Sequence, residues 1–349
     1  MSATHIHFDI YELIFHSLAE EEDFTTLRAC SLVCGTLLPL TRKHIFAFVK
    51  LNIMKQPRIK KFMTLIEANG IGHYVCKLEY AIVNEDQMRL VLGKLKNLKS
   101  LRIYHHSGRA CFADLVDQEA RSTELQVVPP FPTKSVYLQE FSADYKSASV
   151  LVKARHPNGL QVVDFAELTT IRVEFDGKED IDPIRTILIR AKRPQNIELR
   201  ILRLSIPYVD VKLAKTLMGS IQSLKVLKLV FYGIEESEGL LSCLYRDLGA
   251  ISGHSIMETL SIVVQVVVHR NSNLLDHWGL LDKVLNEKNA WLGLKEVSLL
   301  IYVSRSFQVN IPIAKQLEKL GDTQFPGLSA SKTISFKFKF DDMRPRVAE

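Results

Sequence analysis

Several things are scarce in this chain. It holds 16 glycines and 12 prolines among 349 residues, and no Ser-rich or other low-complexity stretch, so no flexible linker is expected between its parts. Long apolar runs are missing as well. The longest, Leu260 to Val268, is interrupted by Ser261 and Gln265; it is too short to span a bilayer and reads as a buried strand. No run of five or more like charges occurs, which argues against a charged interaction tail. The five cysteines, at 30, 34, 76, 111 and 243, are odd in number and form no C-x-x-C pair, a pattern of free thiols in a reducing compartment rather than of a disulfide framework. The start of the chain lacks a basic region followed by an apolar segment, so secretion is not expected. These absences together point to the cytoplasm or the nucleus.

What is present is ample apolar material, 47% of residues, enough to build two or more units. The formal charge of +6 is spread along the chain and favours solubility more than nucleic-acid binding. Lys55, Arg58, Lys60 and Lys61 form one small basic cluster, and Arg190, Lys192 and Arg193 another. Both read as solvated helix ends, so neither a nucleic acid nor a membrane is an expected partner.

The first 46 residues stand apart. Ile6, Ile10, Leu13, Ile14 and Leu18 fall near a 3.6-residue period; Leu27, Cys30, Val33 and Cys34 form a second set, and Leu37, Leu40 and Phe46 a third. Three short helices cannot bury this many apolar side chains among themselves, so part of that surface is expected to meet a partner. Asp9-Ile10, Ile14-Phe15, Leu18, Leu27, Ser31, Val33 and Cys34 keep the order of a known pattern, as does the tail Pro39, Arg42, Lys43, His44, Ile45, Phe46. The segment resembles an F-box of the type common in fungal proteins. It departs from that pattern where Ile6-His7 replaces Leu-Pro and where Gly35-Thr36-Leu37 follows the cysteine. The resemblance implies docking onto the small adaptor of a cullin-RING ubiquitin ligase. The residues at the matching docking positions are Ile6, His7, Ile10, Ile14, Phe15, Leu18, Leu27, Val33 and Cys34, with Leu37 in the usual aromatic slot.

After Phe46 the rhythm changes to short apolar alternations: Phe48 to Leu51, Lys77 to Tyr80, Leu101 to Ile103, Leu138 to Phe141, Ile171 to Val173, Leu202 to Leu204, Leu227 to Leu229, Leu260 to Ile262, Val297 to Leu299 and Ile334 to Phe338. Helical patterns lie between them, at 58–68, 86–95, 181–191, 211–218, 240–251 and 274–285. Asn69-Gly70 is a natural stop for the first. Residues 107–135, with Gly108, Pro129, Pro130 and Pro132, read as an inserted loop. Leu95-x-x-Leu98-x-x-Leu101-x-Ile103 and Ile221-x-x-Leu224-x-x-Leu227-x-Leu229 resemble leucine-rich repeats of an irregular kind. The expected fold is α/β: a three-helix F-box-like unit over 1–47, then an irregular leucine-rich-repeat solenoid over 48–340 with parallel strands on its concave face and helices outside, and a short tail over 341–349. Because Phe46 is followed at once by the first strand, the joint between the two parts is expected to be rigid.

Motifs of catalysis are absent. There is no G-x-S-x-G elbow, no G-x-x-x-x-G-K-[ST] and no G-x-G-x-x-G. Cys30 and Cys34, four apart, would share a helix face, yet no third metal ligand accompanies them or the pairs His5/His7 and His105/His106. No enzyme activity, cofactor or metal is expected. In a repeat of this type the residue between two inward leucines faces outward. Arg102, Arg172, Arg203 and Lys228 occupy such places and are candidate substrate-binding residues. Aligned cations would favour an acidic or phosphorylated protein substrate; equally, exposed strands carry Lys and Arg for solubility. The reading from sequence is thus a substrate receptor of a ubiquitin ligase that acts through proximity, with a repeat scaffold unconnected to ubiquitin as the alternative.

Overall fold

A computed structural model describes residues 8–51, 56–82, 85–105, 135–176, 181–202, 212–234, 237–266, 277–287, 290–303 and 311–342. The chain divides into two compact units, Met1–Leu138 with Lys153–Asp164, and Gln139–Val152 with Phe165–Glu349. Both contain α/β structure, and the first also carries a helical N-terminal part.

That part consists of α1 (Phe8–Glu20), α2 (Phe24–Val33) and α3 (Leu37–Ile45). Asp23 starts α2: its carboxylate accepts from the Thr26 backbone N–H at 3.0 Å and from the Thr26 hydroxyl at 2.6 Å, satisfying donors that a helix start leaves open. The three helices close on Phe15, Leu27 and Leu40, with Tyr11, Leu18, Ala19, Phe24, Cys30, Leu37 and Ile45 packed around them. Buried Thr41 needs no outside partner, because its hydroxyl donates to the Leu37 carbonyl at 3.0 Å. An ion pair between Lys43 and Glu12 ties α3 to α1.

Only Phe46 and Ala47 separate α3 from the first strand, β1 (Phe48–Leu51). The Phe46 N–H donates to the Arg42 carbonyl, and the Ala47 carbonyl accepts from the N–H groups of both Cys76 and Lys77. The expected short joint is therefore pinned into the sheet at its second residue. β1 pairs in parallel with β2 (Lys77–Ile82), and β2 with β3 (Ser100–His105). A two-residue pair, β4 (Val136–Tyr137) with β6 (Val163–Asp164), completes the strands of this unit among the described residues.

In the second unit seven strands follow one another in chain order, every pair parallel: β5 (Glu140–Asp144), β7 (Thr170–Asp176), β8 (Asn196–Leu202), β9 (Val226–Ile234), β10 (Thr259–Val266), β11 (Glu296–Val303) and β12 (Ser335–Asp342). Parallel neighbours need a crossover each time, and right-handed crossovers between strands in sequential order put the connecting helices on one face. Strand residues aimed at that face are buried: Ile171, Val173 and Phe175, Leu227 and Leu229, Val297, Leu299 and Ile301. The leaders Leu95 and Leu98, Ile221 and Leu224 are buried with them.

A repeated hydrogen bond sets the register. At most of these steps one carbonyl just before a strand accepts two successive N–H groups from the next turn of chain. Gln139 receives Thr169 and Thr170, Thr169 receives Gln195 and Asn196, and Gln195 receives Lys225 and Val226; Lys225 receives Glu258 and Thr259, and Glu258 receives Lys295 and Glu296, all at 2.8–3.1 Å. Cys76 does the same for Lys99 and Ser100 in the first unit.

Two buried carboxylates serve the helices. Asp247 accepts from the Leu213 N–H at 2.8 Å, at the start of the helix Leu213–Leu217. Asp282 accepts from the N–H groups of Gly327 (2.9 Å) and Leu328 (2.7 Å), at the start of the helix Pro326–Ser329. Each caps a helix from a distant element, which accounts for an acid in the core.

The structure moves some of the expected boundaries. Gly70, at φ +61°, ends the helix Gln56–Asn69 as anticipated. Of the strand expected at Leu202 to Leu204 only Leu202 lies within the described residues, as the last residue of β8, which starts at Asn196. Register is the cause: Ile197 and Leu199 lie beside Ile171 and Val173 on one side and Leu227 and Leu229 on the other. β5 begins at Glu140, two residues past Leu138, and is followed by an unforeseen helix, Tyr145–Lys153. β12 continues through Asp342, so the start of the expected tail is strand. The proposed insertion at 107–135 lies outside the described residues apart from Ser135, whose hydroxyl donates to the Gln161 carbonyl at 2.6 Å.

Candidate functional site

Two kinds of surface emerge, one on the N-terminal helices and one on the outward faces of the strands. On the N-terminal helices the candidate docking residues separate by depth. Phe15 and Leu27 are 2% and 0% exposed and form the internal core, which corrects their assignment to a docking face. Leu18 and Leu37 are partly buried against that core. Ile10, Ile14 and Val33 are 48%, 47% and 72% exposed, and Cys34 is exposed. Ile6 and His7 lie outside the described residues. Three further apolar side chains join the exposed group: Phe8, Leu13 and Leu32, the last 86% exposed. The helical period contained the signal for Leu13, which is next to Ile10 at i, i+3; its 68% exposure places it on the outer flank of α1, while Tyr11, Phe15 and Leu18 turn to the core.

The two cysteines do not share a face. α2 ends at Val33, and Cys34 follows in extended backbone (φ −157°, ψ 158°), while Cys30 packs on the core. The Cys34 thiol lies 3.0 Å from the Thr36 hydroxyl. That contact, then the Leu37 backbone N–H, brings the thiol below its ordinary pKa. Among the described residues no group of three His, Cys, Asp or Glu side chains could hold a metal.

The outward faces of the strands form the second kind of surface, and neighbours in register decide its charge. In the first unit Lys50, Glu79 and Arg102 stand abreast on β1, β2 and β3. Lys50 reaches Glu79 at 2.6 Å and Arg102 reaches it at 3.9 Å. The hydrogen bond and the charge of Glu79 raise the pKa of Lys50.

In the second unit Arg172, Glu198 and Lys228 stand abreast on β7, β8 and β9. Arg172 Nε donates to Glu198 Oε2 at 2.7 Å, Arg200 Nε donates to Glu198 Oε1 at 2.8 Å, and Lys228 Nζ lies 3.5 Å from Oε1. The Glu198 side chain is 11% exposed, whereas Arg172 and Lys228 are 46% and 41% exposed. Burial pushes the Glu198 carboxyl up, but the hydrogen bonds from Arg200 and then Arg172 outweigh it and hold the group below the usual carboxylate range. Glu174 stands opposite Arg200 at the rim of this cluster.

Farther along the same face, β9 carries one residue more than β10 between Phe231 and Ile234, and Gly233 there takes φ +73°. Such a bulge re-aims the adjoining side chain. Tyr232 sits in it and shares a hydrogen bond with Tyr302 of β11. Burial first, then the charge and hydrogen bond of Tyr232, push Tyr302 up to about 12.

The mostly basic row expected from sequence is thus interrupted by carboxylates. Arg102, Arg172 and Lys228 do project outward, but each lies against a glutamate, and Arg203 falls outside the described residues. Glu79 was visible as the alternate residue of its strand. Glu198 was hidden by the misplaced strand, because the outward residue beside Arg172 belongs to Asn196–Leu202. Ser261 and Ser298 continue the row, and Lys337 pairs with Glu296 at 2.8 Å.

Elsewhere in the second unit, Met218, Gly219, Ile221, Gln222, Ala250 and His254 line a half-open cavity of about 360 Å³. No helix among the described residues is long and apolar enough to cross a membrane. No family model matches the chain, and no curated protein matches it.

Proposed function

We propose that this protein is a substrate receptor of a cullin-RING ubiquitin ligase of the SCF type. In this reading α1 and α2 dock the ligase adaptor, and the strand-and-helix repeats, as a leucine-rich-repeat solenoid with its strands on the concave side, hold a protein substrate. The receptor works in the cytoplasm or nucleus and performs no bond chemistry; it raises the effective concentration of a substrate lysine near the charged enzyme. The observation that carries the docking half is the exposure of Ile10, Leu13, Ile14, Leu32 and Val33 around a core that, among the described residues, has three buried apolar side chains. Apolar residues so placed contribute less to folding than core residues do and suit the buried centre of an interface. The repeated carbonyl that takes two N–H groups, with the buried leucine leaders, supports the solenoid half.

Purified ligase adaptor, captured on the full-length chain, tests the reading. The variant Ile10→Ser/Leu13→Ser/Ile14→Ser is expected to fold as the parent does and to lose binding by about 2 kcal/mol or more, the cost typical of interface anchors. Adaptor binding that is absent from the parent chain would leave the alternative, a repeat scaffold without a link to ubiquitin; binding that is undiminished in the variant would overturn the assignment of the docking face to Ile10, Leu13 and Ile14.

A further inference from the structure

The Glu198 cluster has the make-up of an anion site with its counter-charge placed underneath. Arg172, Arg200 and Lys228 come from three successive strands and converge on one carboxylate. The carboxylate is the buried member, Arg172 and Lys228 are the more exposed cations and Arg200 is partly buried at 29%, so a solute approaching from water meets Arg172 and Lys228 first. Both arginines reach Glu198 through Nε, which leaves their terminal guanidinium nitrogens for a second, forked contact. Glu198 fixes the side-chain rotamers in advance, and a ligand then has less conformational freedom to remove. Three positive charges surround Glu198, with Glu174 at the rim on the β7 side. The positive surplus is too small to attract a polyanion over a distance. It suits one compact dianion that offers several acceptor oxygens at once. A carboxylate would merely repeat what Glu198 already supplies. A phosphate monoester, at about −1.5 to −2 near neutral pH and with three acceptor oxygens, fits the donors that remain.

We propose that the cluster of Arg172, Arg200 and Lys228 over Glu198 binds a phosphorylated residue of a peptide segment. The proposal gives a substrate class to the receptor reading above and takes its biological sense from it, but its test requires no adaptor. The second cluster, Lys50 and Arg102 on Glu79, has one guanidinium instead of two and serves as the control within the molecule.

The experiment uses the full-length chain and oriented peptide libraries with a fixed central phosphoserine, phosphothreonine or phosphotyrosine, each beside its unphosphorylated twin. Binding is then measured by fluorescence polarisation on the selected peptides. At least one phosphorylated set is expected to bind ten-fold or more tightly than its twin. Arg172→Gln/Lys228→Gln is expected to remove at least nine-tenths of that gain in a chain that still unfolds cooperatively, though at a lower temperature because Glu198 loses two partners, while Arg102→Gln retains it. The proposal fails if phosphorylated and plain peptides bind alike, if the double variant binds as the parent does, or if Arg102→Gln loses as much as the double variant, which would indicate diffuse attraction without a site. Failure on any of these counts leaves adaptor capture unaffected, so the two readings can be judged apart.

Discussion

The N-terminal helices and the strands of the second unit treat apolar residues in opposite ways. α1 to α3 bury Phe15, Leu27 and Leu40 and leave Ile10, Leu13, Ile14, Leu32 and Val33 about half exposed or more. In β7 to β11 each strand buries one alternate set almost completely, as at Leu227, Leu229, Val297 and Leu299, and its outward set is largely charged, hydroxylic or aromatic. Size explains the contrast. A short three-helix cluster has little interior relative to its surface, so apolar residues beyond a few must face outward, where they are of most use to a partner. A parallel sheet covered by helices has an interior as long as the sheet, and it absorbs every second residue. The first region is thus suited to apolar docking and the second to polar recognition.

The largest expected effect lies in the interior of the sheet. Leu227→Ala, at a side chain 0% exposed, should cost about 2–5 kcal/mol through lost burial and the cavity left behind. Urea unfolding of the parent and the variant would measure it. A cost below about 1 kcal/mol would mean that the sheet is loosely packed, and the contrast between the two regions would weaken.

A smaller effect belongs to the outward face. Glu198→Gln removes the carboxylate shared by Arg172, Arg200 and Lys228 and should cost about 1–3 kcal/mol at neutral pH, since three cations lose a partly buried partner. The sign with pH follows from the lowered pKa. The folded carboxyl titrates below the ordinary glutamate value of 4.5. The stabilisation is therefore full above that value and is lost as the pH falls through the lower, folded one. Melting temperatures taken between neutral and acid pH should converge for the parent and Glu198→Gln at the acid end. A gap that persists there would show that the carboxylate is not its source.

The smallest expected effect is at the docking face. Leu13→Ser, at a side chain 68% exposed, should change stability by no more than about 0.5 kcal/mol, as surface substitutions do. A large loss would mean that the side chain is structural, and the comparison between the regions would fail on that side.

Much of this architecture was legible in the sequence. Periodicity identified the three N-terminal helices, most strands and the missing linker, because each of those features is local. The leucine leaders were legible for the same reason: a side chain repeated at a strand-and-turn interval has only one face to fill. What was not legible depended on pairing. Leu202-Arg203-Leu204 resembles a strand by itself, and only the neighbours β7 and β9 show that pairing begins at Asn196. Phe15 and Ile14 are adjacent and both apolar, and only the packing of α2 and α3 decides that the first is core and the second surface. Asp247 and Asp282 gave no sign of capping helices that begin far along the chain.

The amino-acid sequence alone determined the α/β class, the helical start and the alternation of each strand, since these follow from spacing within a few residues. Tertiary structure decided which charges meet. Glu79 and Glu198 lie dozens of positions from most of their cationic partners, and a parallel register, closed by one carbonyl and two N–H groups at most turns, brings them within hydrogen-bonding or ion-pairing reach. Electrostatic attraction falls off with distance in space and takes no account of distance along the chain, so the sign and strength of the outward face could be read only after the strands were in place.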